Sequence, residues 1–372
     1  MKRYDDAILV TRPYLPDLEE FKRGCEEVWA NRWLTNNGPM AQAFHAELSA
    51  YLGVPETNLA LFNNGTLALE MGFKALGLEG AEVITTPFTF VATSHALVRI
   101  GAKPVFADID PRTMCLDPAA CEKLITPRTK AIVPVHVYGH VCDVDGFARL
   151  GEKHGLKVIY DAAHAFGVKL RGKSIAAYGD MAMFSFHPTK LFHSCEGGLL
   201  AFRDPSLQRK LFDLRNFAIH SETECVDVGT NAKMNELQAL MGRLCLKRID
   251  ELIAARRAVH GAYAAAFDGF ARAAFVDLKT PSVEPNDAYC PVLFESFAAR
   301  ERVYTELKER CNVFTRRYFY PLLTDFAPYR YGRGTCPVAE DAAARVLTLP
   351  TYHGLGAATA AEIAESVREI LA

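Results

Sequence analysis

The sequence predicts an α/β protein in which a mostly parallel sheet is covered by helices on both faces. Short apolar runs have the length of buried strands, and they lie at 58–62, 82–85, 103–107, 130–134, 157–160 and 181–184. Amphipathic segments with helical periodicity, such as 67–76 and 144–154, separate most of these runs. Asp161 and the loops after Phe62 and Thr85 follow three of them, where the carboxyl ends of parallel strands bind ligands.

The chain is long enough, at 372 residues, for a large domain and a smaller one. A helical apolar pattern from about 234 to 267 is expected to link a large domain, 1–250, to a smaller α+β C-terminal domain, 251–372. In the smaller domain the pattern predicts a strand at 289–294 and helices at 297–311 and 357–371.

Composition and spacing argue against several functional classes. The formal net charge is −2 and no basic run appears, so no nucleic-acid partner is expected. No run of about 18 apolar residues predicts a membrane span, and the N-terminus does not resemble a secretory signal, so we expect a cytoplasmic enzyme. The ten cysteines and eleven histidines show neither Cys-x-x-Cys nor His-Glu-x-x-His spacing, so no metal site is expected.

The segment 185–190 (Ser-Phe-His-Pro-Thr-Lys) indicates an aldehyde cofactor. Pyridoxal 5′-phosphate (PLP) needs a lysine amine for its aldehyde, a carboxylate that keeps its ring nitrogen protonated, and hydroxyl or N–H donors for its phosphate. Lys190, Asp161 and Ser185 fit these three roles. A helix that begins near Gly65 and Thr66 would add N–H groups and a positive dipole end for the phosphate.

Each of these residues also has an ordinary structural explanation. An aspartate at a strand end is often a helix N-cap, a lysine after a strand is usually solvated, and a Gly-Gly pair usually forms a turn. For Gly65 and Thr66 alone, an ordinary N-cap is an equally good explanation. Only the combination favours a cofactor site.

The ordered set of motifs resembles the DegT/DnrJ/StrS family of sugar-nucleotide aminotransferases, which have the fold type I architecture. The resemblance covers nearly the whole chain, and its motifs lie at 34–39, 64–69, 86–93, 134–139, 161–164, 185–190, 196–198, 229–236, 315–321 and 346–350. It implies that Phe90 stacks on the cofactor ring and that His164 lies at the 3-oxygen side of that ring. It also implies a homodimer with shared active sites, in which Asn231 reaches the cofactor phosphate of the neighbouring subunit.

The resemblance implies PLP-dependent transfer of an amino group from L-glutamate to a nucleotide-linked keto sugar. Lys190 would be both the cofactor anchor and the acid–base catalyst. The glutamate before Gly197 favours C4 of dTDP-4-keto-6-deoxyglucose as the acceptor, giving dTDP-4-amino-4,6-dideoxyglucose for O-antigen, lipopolysaccharide or another glycoconjugate. Candidates for substrate contacts are His187, Glu196, Arg316, Tyr318 and Tyr320.

Two alternatives remain open from the sequence. One is an aminotransferase for a 3-keto sugar nucleotide or another small ketone. The other is a non-catalytic PLP-binding regulatory protein, against which Lys190, Asp161 and Asn231 argue. Relatives with histidine in place of the lysine perform dehydration, and the presence of Lys190 disfavours that reaction.

Overall fold

The structure is a computed structural model that describes residues 1–276 and 282–372. Its strands are β1 (Leu59–Phe62), β2 (Glu82–Thr85), β3 (Lys103–Phe106), β4 (Thr129–Val133), β5 (Lys157–Asp161), β6 (Lys169–Leu170), β7 (Lys173–Ser174), β8 (Met181–Ser185), β9 (Gly198–Phe202), β10 (Ile219–Ser221), β11 (Glu224–Cys225), β12 (Ala273–Phe275), β13 (Val283–Glu284), β14 (Cys290–Phe294) and β15 (Val346–Leu349).

The helices follow the amphipathic segments closely. They are α1 (Leu18–Asn31), α2 (Pro39–Leu52), α3 (Gly65–Ala75), α4 (Ala92–Arg99), α5 (Pro118–Glu122), α6 (Val144–His154), α7 (Leu207–Leu214), α8 (Glu236–Leu246), α9 (Ile249–Phe267), α10 (Phe297–Cys311), α11 (Pro337–Arg345) and α12 (Ala357–Leu371). No helix in the described ranges is both long and apolar enough to cross a membrane.

The central sheet has seven strands in the order β1-β9-β8-β5-β4-β2-β3. Strands β3, β2, β4, β5 and β8 are parallel, which confirms the α/β prediction. Strand β9 was not expected, and it runs antiparallel to both β1 and β8. It begins at the second residue of the Gly-Gly pair, for which the sequence analysis gave a turn as the ordinary structural explanation.

Both faces of this sheet are covered, as predicted. One face packs against α3, α4 and α7 through a core that includes Phe73, Leu97 and Leu211. The other face contributes to a larger core with α2, α6 and α8, in which the rings of Phe166 and Phe192 stack at 4.3 Å. The sheet is therefore buried between two helical layers, and its carboxyl-terminal edge is left for the site.

The C-terminal part has its own core. Strands β12, β14 and β15 form an antiparallel sheet that packs with α10, α12 and the second half of α9. The single helix expected over 234–267 is divided, because Arg248 has non-helical backbone angles between α8 and α9. Helix α9 contributes Leu252 to the larger core and Tyr263 to the smaller one, so it connects the two. The domain limits at residue 250 stay a prediction.

Candidate active site

A cavity of about 660 Å³ opens beyond the carboxyl ends of β1, β2, β5 and β8. Its walls come from the loops that follow these strands and from the segment that follows α10. It is lined by most of the residues that the sequence singled out, namely Gly65, Thr66, Phe90, Asp161, His164, Ser185, His187, Lys190, Glu196, Arg316 and Tyr318. The fold thus gathers residues that are more than 200 positions apart in the chain.

Lys190 projects its amine into this cavity. The Nζ atom donates to the hydroxyl of Tyr289 at 3.5 Å, and the backbone N–H of Lys190 donates to the carbonyl of His187 at 2.9 Å. Burial lowers the pKa of the amine, while Tyr318 and Asp161 act in the opposite direction. An amine with a lowered pKa loses its proton more easily, and only the neutral form is a nucleophile or a base.

Asp161 ends β5 and is buried, with 4% of its surface exposed. Its carboxylate accepts hydrogen bonds from Thr93 Oγ1 at 2.7 Å and from the N–H of Ala163 at 3.0 Å. Burial raises the pKa of Asp161, although these two donors and Lys190 oppose the shift. A buried carboxylate held in place by neutral donors suits a cationic partner such as a protonated pyridine nitrogen.

The start of α3 faces the same cavity. Asn64 caps the helix, because its side-chain oxygen accepts from the N–H of Leu67 at 2.8 Å. The first N–H groups of a helix have no intrahelical acceptor, so those of Gly65 and Thr66 are available to an anion. Gly65 packs against Ser185, since a Cβ atom at Gly65 would lie 3.1 Å from the Ser185 Cβ. These residues form a cup that fits a phosphate group.

His164 is held by the backbone. Its Nδ1 atom accepts from the N–H of Tyr138 at 3.1 Å, and its ring centroid is 4.4 Å from that of Tyr289. Burial, with Lys190 as a smaller cause, places the pKa of His164 well below its ordinary value. The ring is therefore neutral and carries its proton on Nε2, where it can donate one hydrogen bond.

The remaining predicted residues divide into two groups. His187 and Glu196 face each other at 3.7 Å between Nε2 and Oε1, and the Arg316 guanidinium lies 5.2 Å from the centroid of the Tyr318 ring. Two predicted residues, Tyr320 and Asn231, do not line the cavity. Tyr320 packs instead on Phe297 and Arg300, and the side-chain oxygen of Asn231 accepts from Lys233.

Sequence reasoning missed several residues of the site. Thr93, which donates to Asp161, lies inside the motif at 86–93, from which only Phe90 was predicted to contact the cofactor. Tyr289 approaches from the C-terminal part, and no spacing in the chain could have indicated its contact with Lys190. Glu70, His95 and Arg99 line the outer end of the cavity, and Arg99 donates to Glu70 at 2.6 Å.

Gly198→Ala is expected to weaken cofactor binding by about tenfold, which corresponds to about 1.4 kcal/mol. Gly198 pairs with Phe62 of β1 and Ser185 of β8, and a Cβ atom there would lie 2.5 Å from the Asn64 carbonyl oxygen. The start of α3 would have to move away from Ser185. Titration of PLP into the cofactor-free protein measures the affinity. Gly261→Ala is the control, because a Cβ at Gly261 meets open space, and equal losses in both variants would contradict the prediction.

Cys195→Gly is expected to stabilise the protein by about 0.5–1 kcal/mol. Cys195 has φ +63°, in the left-handed region, which costs a residue with a Cβ roughly 1–2 kcal/mol. The greater freedom of glycine in the unfolded chain offsets about 0.5–1 kcal/mol of that gain. Denaturant unfolding of the two proteins measures the difference. Cys195→Ala, which keeps the Cβ, should give no such gain, and an equal gain in both would trace the effect to the thiol.

The model of the DegT/DnrJ/EryC1/StrS aminotransferase family matches residues 17–368. A dTDP-4-amino-4,6-dideoxy-D-glucose transaminase of Shigella dysenteriae is 42% identical over 98% of this chain and 100% of its own length. An enzyme of the same name from Escherichia coli is 38% identical, over 94% of this chain and 95% of its own. A solved structure of DesI, in the presence of its TDP-sugar product, superposes with a TM-score of 0.92 at 34% identity, covering 99% of this chain and 94% of that one.

Proposed function

Because the chain belongs to the DegT/DnrJ/EryC1/StrS aminotransferase family, and is thus a PLP-dependent aminotransferase of fold type I, we propose that it aminates C4 of dTDP-4-keto-6-deoxyglucose. L-Glutamate would supply the amino group, and the product would be dTDP-4-amino-4,6-dideoxyglucose. The observation that carries the proposal is the Lys190 amine in a cavity that the buried Asp161 carboxylate also lines, in a chain of which two curated relatives carry that product in their names.

The residues that line the cavity are of the types that PLP requires. Lys190 would hold the aldehyde, Asp161 the ring nitrogen, and Gly65, Thr66 and Ser185 the phosphate. Phe90 would cover one face of the ring, and His164 would donate to the ring's oxygen. When bound, the cofactor supplies an electron sink for the negative charge that develops on the substrate carbon.

The protein's own groups would then move the proton and orient the substrates. The neutral Lys190 amine would take a proton from the α-carbon of glutamate in the first half-reaction, and its protonated form would give a proton to the sugar carbon in the second. Tyr289, at 3.5 Å from that amine, keeps it directed into the cavity between these steps. Arg316, whose guanidinium lines the cavity without an ion-pair partner in the described residues, would bind an anionic group of a substrate.

We also propose that two copies form a homodimer with shared sites. Large apolar side chains are exposed on α1, on the loop after it and around the β10–β11 hairpin, including Trp29, Trp33, Leu34, Ile219 and Val228. Such a set on one subunit suits burial against a second copy. Asn231 lies outside the cavity of its own subunit, which agrees with a role in the neighbouring one.

Mixed dimers test the shared site. A subunit with Lys190→Ala and a subunit with Asn231→Asp, each inactive alone, should recover activity when they are unfolded and refolded together. One site of the mixed dimer then combines an intact Lys190 with an intact Asn231 from the neighbour. If Asn231 serves only its own subunit, no mixture of these variants gains activity.

The substrate assignment is tested with the two half-reactions measured separately. Purified holoenzyme is first mixed with L-glutamate, and the loss of the visible absorption of lysine-bound cofactor is followed. The candidate sugar, dTDP-4-keto-6-deoxyglucose, is then added, and the absorption should return together with an aminated product at C4. Return of the absorption with a 3-keto isomer alone would reassign the acceptor, and no response to any amino donor would favour a regulatory protein.

A further inference from the structure

A second, smaller cavity lies between the loop that joins α1 to α2, the end of α7 and the segment before α8, and its lining carries a net positive charge. It measures about 130 Å³ and is lined by Asn36, Asn37, Ala41, Leu61, Phe212, Arg215, Asn216, Lys233 and Met234. Two cations and three side-chain amides line it, and no carboxylate does. We call the set Asn36, Asn37, Arg215, Asn216 and Lys233 the cation pocket.

Arg215 is the buried member of the cation pocket, with 6% of its surface exposed. Its Nη1 atom donates to the carbonyl of Leu61 at 2.5 Å, and its guanidinium stacks 3.7 Å from the centroid of the Phe212 ring. These contacts, with its place at the end of α7, account for its position. They leave its charge uncompensated, since no carboxylate in the described ranges forms an ion pair with it.

Lys233 brings a second positive charge to the same space. Its amine donates to Asn231 at 2.8 Å and lies 4.9 Å from the centroid of the Phe217 ring. Burial lowers the pKa of Lys233, and repulsion by the positive charge of Arg215 acts in the same direction. An anion between them would remove this repulsion and gain hydrogen bonds from the amides.

Glu236, a buried carboxylate two residues after Met234 of the pocket lining, does not fill this role. Glu236 accepts from the N–H groups of Met40 at 2.7 Å and Ala41 at 3.1 Å, at the start of α2. The negative charge of Glu236 therefore stabilises the N-terminal end of α2. The cation pocket therefore has hydrogen-bond donors on several sides and no negatively charged acceptor in its lining.

We propose that the cation pocket binds a phosphate group. Its volume is below the roughly 300–1,000 Å³ of pockets for drug-sized ligands, so it suits a single anionic group and not a whole nucleotide sugar. The group has two sources, the diphosphate of a nucleotide sugar held in the neighbouring subunit's active site, or free inorganic phosphate. The first source rests on the proposed function, because it requires a nucleotide-linked substrate and a shared site.

Calorimetric titration of the holoenzyme with inorganic phosphate, at constant ionic strength in a phosphate-free buffer, tests the proposal. Lys233→Met and Asn36→Asp should each weaken phosphate binding by about tenfold or more, because one removes a charged donor and the other adds a repelling carboxylate. Asn36 is exposed and the aspartate has the same shape, so the fold should persist. Asn31→Asp is the matched control, since Asn31 is exposed at the end of α1 and does not line the pocket.

A parallel titration with dTDP distinguishes the two sources. Loss of dTDP affinity in the same variants assigns the pocket to the nucleotide diphosphate, and unchanged dTDP affinity assigns it to free phosphate. Wild-type protein that binds no phosphate, or variants that bind it as well as wild type, would overturn the proposal. Neither titration needs turnover, so failure of the proposed function would be seen separately, as absence of product from the keto sugar.

Discussion

Lys190→Ala is expected to lower kcat by about 10⁴-fold or more, because the substitution removes the group that exchanges the proton in both half-reactions. PLP should still bind, since Asp161 and the cup formed by Gly65, Thr66 and Ser185 remain. It would lack the visible absorption of the lysine-bound form. Steady-state rates with glutamate and the keto sugar, together with equilibrium dialysis of PLP, measure the two effects.

Added small primary amines should restore part of the Lys190→Ala activity in proportion to their concentration, because they can replace the missing base. Lys173→Ala is the matched control, since Lys173 is an exposed lysine on β7. Substantial activity of Lys190→Ala without added amine would remove this lysine from the mechanism. Complete loss of PLP binding would instead indicate that the covalent bond alone retains the cofactor.

Asp161→Asn is expected to lower kcat by roughly 10²–10³-fold, the usual effect of removing one preorganised electrostatic partner. The amide can still accept a hydrogen bond from Thr93, so the geometry should be largely kept. It carries no negative charge, and the ring nitrogen would no longer be held protonated. The rate of the glutamate half-reaction, followed in a single turnover, measures this loss apart from substrate binding.

The same substitution should stabilise the cofactor-free protein near neutral pH. Burial raises the pKa of Asp161, so the folded state binds this proton more tightly than the unfolded state does. Stability therefore falls as pH rises from the ordinary aspartate range through the raised pKa, and the loss persists above it. Thermal unfolding of both proteins without PLP at pH 5 and pH 8 tests this. Asp6→Asn controls for a general charge effect, and a lower midpoint for Asp161→Asn at pH 8 would contradict the argument.

Most strands of the central sheet could be predicted from the sequence, because burial leaves a visible pattern. Strands buried on both faces appear as apolar runs, and β2 and α6 have the predicted bounds. Strand β9 could not be foreseen as antiparallel, because pairing direction depends on the connection between β8 and β9 and leaves no periodic signal. The division between α8 and α9 was equally hidden, since apolar residues continue on both sides of Arg248.

The site residues that could be predicted are those whose chemical type and position after a strand both indicate the same role. Asp161 and Lys190 are polar residues placed next to buried strands, and their chemical types restrict what they can do. Tyr289 carries no such signal, because it reaches Lys190 only after the C-terminal part packs against the sheet. Tyr320 was a candidate for a substrate contact, but its side chain packs on Phe297 and Arg300 and does not line the cavity with Tyr318.

The two hydrophobic cores hold opposite ends of one segment of the candidate site. The segment that carries Arg316 and Tyr318 begins at Val313 in the smaller core and ends with Phe319 inserted in the larger one. Repacking around Val313 can therefore shift the side chains that would face the acceptor sugar, while the strand ends that hold Lys190 and Asp161 stay where they are. The residues proposed to contact the acceptor and those proposed to transfer the amine are thus anchored in different parts of the protein interior.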